Sequence, residues 1–199
     1  TPEPTSPPEP TATPEPPTAT PRPAPPNDLA GPVVLTDAMD GGTWSVGSAA
    51  NWTLGFENGR YHMTMRAGVG AVWSYGAGLP GLNSSVSAEV DVRAGNAGLL
   101  FGFIDANNYY RYVVSPNGAW ALEQRTGGRL VTLLSGRGLG SGKLSVAQRG
   151  AFTKLYWNNS YVSETTLAGF PGGSYGFVLS GPAAADAYFD NLQVRQIPQ

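Results

Sequence analysis

The sequence contains no cysteine, which excludes a disulfide framework and any thiolate metal site. Histidine occurs once, at His62, which excludes the multi-histidine sets that hold catalytic zinc. Charged side chains make up only 13% of the 199 residues, against a usual ~25%. Basic residues number 12 and acidic ones 14, for a net charge of −2. No basic excess exists to attract nucleic acid or an anionic membrane surface. Apolar runs stop at about five residues, where about 20 are needed to cross a bilayer. No charged n-region followed by an apolar h-region opens the chain, which starts at Thr1. The expectation is a piece of a longer protein whose targeting signal lies upstream.

Proline is abundant but unevenly placed. Residues 1–26 hold 12 of the 18 prolines, with six Thr and the three carboxylates Glu3, Glu9 and Glu15. They have no aromatic residue and no hydrophobic period, so they cannot bury a core. Such sequence favours polyproline II, and at ~3.1 Å per residue the segment reaches up to about 80 Å. The functional reading is a stalk. An SH3-type ligand or a plain disordered terminus are the competing readings, although no consistent basic residue flanks a P-x-x-P. Composition sets the linker at 1–30 and the folded domain at 31–199. With Arg22, the tail carries the whole −2; residues 27–199 balance at 11 basic and 11 acidic side chains.

The folded part reads with period two, punctuated by turn residues. Tyr61, Met63 and Met65 alternate with Arg60, His62 and Thr64, and Val86, Ala88, Val90 and Val92 with Ser87, Glu89, Asp91 and Arg93. Ala97 to Ile104 is almost continuously apolar. Ser115-Pro116-Asn117-Gly118 and Thr126-Gly127-Gly128 are hairpin signals. Further strands are expected at 143–148, 152–157, 161–166, 174–180 and 187–195, and no segment shows a capped helical period. About twelve short strands imply an all-β, two-sheet antiparallel sandwich or a barrel.

Several stretches resemble a known family: Glu57-Asn58-Gly59-Arg60-Tyr61, Ala97-Gly98-Leu99-Leu100-Phe101, Leu155-Tyr156-Trp157-Asn158 and Phe189-Asp190-Asn191-Leu192. With Asp37 and Trp44 before them and Trp120 among them, they are similar to the concanavalin A-like lectin/glucanase jelly rolls of bacterial extracytoplasmic proteins, of the laminin-G-like and keto-disaccharide-hydrolase-like kind. The resemblance covers roughly 35–196. It implies two antiparallel sheets, a ligand on one sheet face or its rim loops, and placement on Pro/Thr-rich stalks of membrane-anchored proteins.

Strand parity puts Glu89, Asp91 and Arg93 on one face of their strand, Tyr109 with Arg111 on another, and Glu123 with Arg125 on a third. If these strands share a sheet, the seven residues form one polar patch. Charged groups that bind vicinal hydroxyls, beside an aromatic ring, suit a sugar. The competing reading is a solvated face with cross-strand charge pairs. Glu89-Val90-Asp91 invites comparison with a retaining glycosidase, which needs two carboxyls about 5–5.5 Å apart. Arg93 takes the place of the next acidic residue, so no catalytic pair is recognised. His62 has no accompanying nucleophile motif and reads as structural or surface-exposed. Gly136 to Lys143 lacks the spacing of a phosphate loop and reads as a flexible connection. In related jelly rolls an acidic residue of the last strand joins an N-terminal one around a structural Ca²⁺, which points to Asp37 with Asp190. The alternative is that Asp190 only accepts backbone or Trp44 hydrogen bonds. Trp44, Trp120 and Trp157 are expected in the core, while Trp52 and Trp73 lie beside polar turns and can reach the surface.

Together these readings point to a monomeric, non-catalytic extracellular or cell-envelope module for carbohydrate or another extracellular polymer. It has no cofactor beyond that calcium, no nucleic-acid partner and no membrane-inserting segment of its own. The alternatives are a glycoside hydrolase-like enzyme and a structural or protein-interaction ectodomain.

Overall fold

A computed structural model of the chain describes residues 27–78, 83–168 and 172–197. The Pro-rich stretch read as a stalk lies outside them. A short 3-10 turn at Asn27–Leu29 precedes fifteen strands: β1 (Val33–Asp37), β2 (Gly47–Ala49), β3 (Trp52–Glu57), β4 (Arg60–Met65), β5 (Gly70–Gly78), β6 (Asn83–Ala94), β7 (Asn96–Asp105), β8 (Asn108–Val114), β9 (Ala119–Thr126), β10 (Arg129–Arg137), β11 (Gly142–Arg149), β12 (Phe152–Trp157), β13 (Ser160–Thr166), β14 (Ser174–Gly181) and β15 (Ala185–Gln196).

All pairings are antiparallel and form two sheets. The first runs β13-β12-β11-β6-β15-β4-β3-β2, with β1 also paired to β15. The second runs β10-β9-β8-β7-β14-β5. Alternation decides which side chains meet between them. Val86, Val90, Tyr61, Met63, Phe189 and Leu192 of the first sheet share one buried cluster with Leu99, Phe101, Tyr110, Tyr112, Phe177 and Leu179 of the second. Tight turns set the registers. Asn58 and Gly59 both have positive φ, 54° and 72°, and join Glu57 to its partner Arg60. That geometry matches the twist of a two-residue hairpin and suits Asn-Gly.

The N-terminus of the described chain is clipped to the outside of the first sheet. The Asp28 carboxylate accepts from Arg149 Nε (3.0 Å), Lys154 Nζ (3.0 Å) and Tyr156 Oη (2.9 Å). Leu29 packs with Ala147, Tyr156 and Ile197 in a small separate cluster. Arg195 Nη1 donates to the Gly31 carbonyl at 2.8 Å. Residues 27–29 are therefore docked on the sandwich, although composition groups them with the 1–30 linker. Burial alone would raise the Asp28 carboxyl; the hydrogen bonds from Lys154, Arg149 and Tyr156 outweigh it and hold the carboxyl below its usual range.

Candidate functional site

The charged strands do not share a sheet. β6 lies in the first and β8 and β9 in the second, so Glu89, Asp91 and Arg93 are on one outer face of the sandwich, and Tyr109, Arg111, Glu123 and Arg125 are on the other. The single seven-residue patch is thus divided into two groups.

On the second sheet the pairings generate rows of outward side chains. One row runs Tyr75, Gly176, Leu100, Arg111, Glu123, Thr132. The next runs Trp73, Val178, Gly98, Val113, Ala121, Ser135. Strands lie about 4.8 Å apart, so each row spans roughly 24 Å. At Gly102, with φ 56°, the β7/β8 register shifts. The shift takes Phe103 out of the interior period and into the outer cluster with Leu100, Tyr109, Val113 and Val178. Trp73 packs on that cluster with ring centroids 6.3 Å from both Phe103 and Tyr109, and Tyr75 stacks on Phe103 at 4.4 Å. One flank of the face is therefore aromatic, and Tyr75 is exposed.

The other flank is polar. Arg111 Nε donates to Glu123 Oε2 at 2.7 Å, with side chains only 9% and 14% exposed. Thr132 Oγ1 is 3.4 Å from Glu123 Oε1, a weak contact that leaves this oxygen free to accept more. Next to the pair opens a groove of about 360 Å³, walled by Glu123, Asn96, Thr132 and Ser135 over a floor that includes Val113 and Ala121. Its polar groups come from three strands, β7, β9 and β10, all fixed by the sheet.

The first sheet's outer face is wired differently. Asp91 Oδ2 accepts from Arg60 Nη1 and Arg93 Nη2, both at 3.1 Å. Burial would raise the Asp91 carboxyl, but these two guanidiniums hold it below its usual range. The Tyr188 ring is flanked by the His62 imidazole, stacked at 4.0 Å, and by the guanidiniums of Arg60 and Arg93 at 4.2 and 4.9 Å. His62 lies 2.7 Å from Glu57 and 3.2 Å from Asp186, and Tyr188 donates to Glu57 at 2.7 Å. A cleft of about 350 Å³ lies beside Asp91, Glu89 and Asp190. Its cations are spent on Asp91 and on the Tyr188 ring, so this face is organised as a closed network.

Asp37 and Asp190 each serve their own loop. Asp37 accepts from Trp44 Nε1 (2.9 Å) and the Met39 amide (2.8 Å), and Asp190 from the Asn191 amide (2.7 Å). Trp44's partner is thus Asp37, and among the described residues no group of three or more His, Asp or Glu side chains is arranged so that it could hold a metal ion. Gly136, Arg137, Gly142 and Lys143 lie in strands, which shortens the expected 136–143 connection to residues 138–141. Trp44 is in the core and Trp120 and Trp157 pack against it, as the alternation predicts. Trp52 also packs there, whereas Trp73 joins the outer cluster.

Solved structures show the same architecture. The carbohydrate-binding module CBM66 from Bacillus subtilis superposes with a TM-score of 0.63 at 18% identity, over 77% of this chain and 95% of that one. The likeness is one of fold, a two-sheet antiparallel β-sandwich. A Bacillus subtilis protein of unknown function with a galectin-like fold gives 0.65 at 12% identity, over 83% and 96%. The catalytic domain of an endo-1,3-β-glucanase (laminarinase) from Thermotoga petrophila gives 0.53 at 11%, over 85% and 99%. No family model and no curated protein sequence matches the chain. Within this shared fold, the chemistry rests on this chain's own side chains.

Asn96, Ser135, Tyr75 and Phe103 were not legible as site residues. Trp73 and Tyr75 sit in Ala71-Val72-Trp73-Ser74-Tyr75, where both strand faces carry apolar groups and alternation is lost. Phe103 reaches the outer face only through the register shift at Gly102.

Proposed function

We propose that this domain is a non-catalytic carbohydrate-binding module whose ligand lies in the groove beside Glu123, and that the Pro-rich segment presents it as a stalk outside the cell. The observation that carries the reading is the Glu123 carboxylate, held at 2.7 Å by an almost buried Arg111 at the wall of an open groove. A fixed carboxylate accepts hydrogen bonds from neighbouring hydroxyls without losing side-chain entropy on binding. Asn96, Thr132 and Ser135 add donors and acceptors, and Val113 and Ala121 offer apolar surface to the C–H side of a sugar. The likeness to CBM66 supports the same direction. A single carboxylate among the described lining residues fits binding better than hydrolysis, for which an acid and a nucleophile are required.

The test is a pull-down on a panel of insoluble polysaccharides, then titration with any polymer retained. Glu123→Gln should weaken binding at least about tenfold, the size expected for a lost charge-assisted hydrogen bond, with a native circular dichroism spectrum. Undiminished binding by this variant sinks the site assignment. Release of reducing sugar from a retained polymer sinks the non-catalytic reading.

A further inference from the structure

Along the outer face of β9 the side chains run Ala119, Ala121, Glu123, Arg125, each about 7 Å from the next. The groove occupies the first three positions. Arg125 lies one step beyond, towards the aromatic flank, with Tyr109 as its cross-strand partner. The two guanidiniums here have different fates. Arg111 is paired with Glu123. Arg125 has no ion pair or hydrogen bond among the described residues, and its Nε is buried without an acceptor. Directly opposite, Tyr109 is 0% exposed and its hydroxyl is also buried without an acceptor. Two unmet donors thus stand side by side on adjacent strands. Buried donors cost free energy until an acceptor is supplied. Arg111, Arg125 and Glu123 together also carry one net positive charge, in a stretch, residues 27–199, whose basic and acidic side chains balance.

Resting on the carbohydrate reading above, we propose that the polysaccharide taken by this face is acidic: a uronic acid residue places its carboxylate on Arg125 while neighbouring hydroxyls meet Glu123. The guanidinium fork matches a carboxylate in two parallel hydrogen bonds, which a neutral hydroxymethyl group cannot reproduce. The spacing suits a chain running along β9, with the acidic group and the Glu123-bound hydroxyls on adjoining parts of the polymer. Side-chain movement of Arg125 as its Nε gains an acceptor is part of binding.

The experiment compares polygalacturonate, alginate and hyaluronan with the carboxyl-reduced form of each, alongside the neutral panel. At least one acidic polymer should bind about tenfold more tightly than its reduced form, and added salt should narrow that gap. Arg125→Gln should bring the ratio to about one; Arg125→Lys should retain part of it. Glu123→Gln should weaken both forms together. Equal affinity for acidic and reduced forms, retention of neutral polymers alone, or a ratio untouched by Arg125→Gln overturns this inference and leaves the groove reading standing. Failure to retain any polysaccharide overturns both.

Discussion

Arg111 and Glu123 form a close ion pair whose side chains are both almost buried, so its stability and its function can be separated experimentally. Arg111→Ala leaves a buried carboxylate uncompensated and should cost about 3–5 kcal/mol in urea unfolding. Replacing both, as Arg111→Met with Glu123→Leu, should restore most of that loss, because two apolar side chains remove both desolvation penalties. Binding should not return with stability, since the acceptor is gone. Recovery of affinity by the double variant would show that the pair only props up the sheet. Asp28 invites a pH measurement. Its carboxyl is lowered on folding, so its contribution is present above the ordinary carboxylate value of about 4 and is lost as pH falls through the lower folded value. Hydrogen exchange at the Leu29 to Gly31 amides should therefore accelerate below about pH 4, in excess of the intrinsic pH trend. The same excess measured in Asp28→Asn would show that other groups cause it.

At the scale of the element, two strand glycines let the second sheet close. A Cβ at Gly98 would lie 2.0 Å from the Tyr112 carbonyl, and one at Gly176 would lie 2.0 Å from the Ser74 carbonyl. Both oxygens belong to backbone and cannot swing aside. Gly98→Ala or Gly176→Ala should cost about 3 kcal/mol, at the severe end of overpacking. Gly55→Ala, with open space around its Cβ, serves as the control in the same thermal melts. These glycines also keep the two rows low between the aromatic flank at Trp73 and Tyr75 and the polar one at Arg111 and Glu123. The sequence showed Gly98 within an apolar run, but the neighbouring carbonyl that forbids a side chain there comes from β8, fourteen residues away.

In the whole molecule, the chain enters on the outer face of the first sheet, through Asp28 and Leu29, while the candidate groove is on the outer face of the second. Deleting residues 1–31 should lower Tm by several degrees relative to deleting 1–26, because it removes the Asp28 and Leu29 contacts, worth about 1–2 kcal/mol. Equal melting temperatures would mean that the clip contributes nothing to the fold.

Much of this architecture was written locally. Period-two runs such as Val86 to Val92, and turn pairs such as Asn58-Gly59, act through near neighbours, so the sequence alone determined the all-β class, most strands and their inward faces. It also determined that Tyr109 shares a face with Arg111, and Glu123 with Arg125, because parity along a strand needs no partner. Which strands became neighbours was decided only in three dimensions. β15 inserts between β6 and β4, and β14 between β7 and β5, through contacts far apart in sequence. That choice sent Asp91 and Glu123 to opposite faces and opened the groove beside Glu123, while the register shift between β7 and β8 at Gly102 brought Phe103 outward. Pairing between distant strands is selected by the total burial of both sheets, a sum over the whole core that no local pattern encodes.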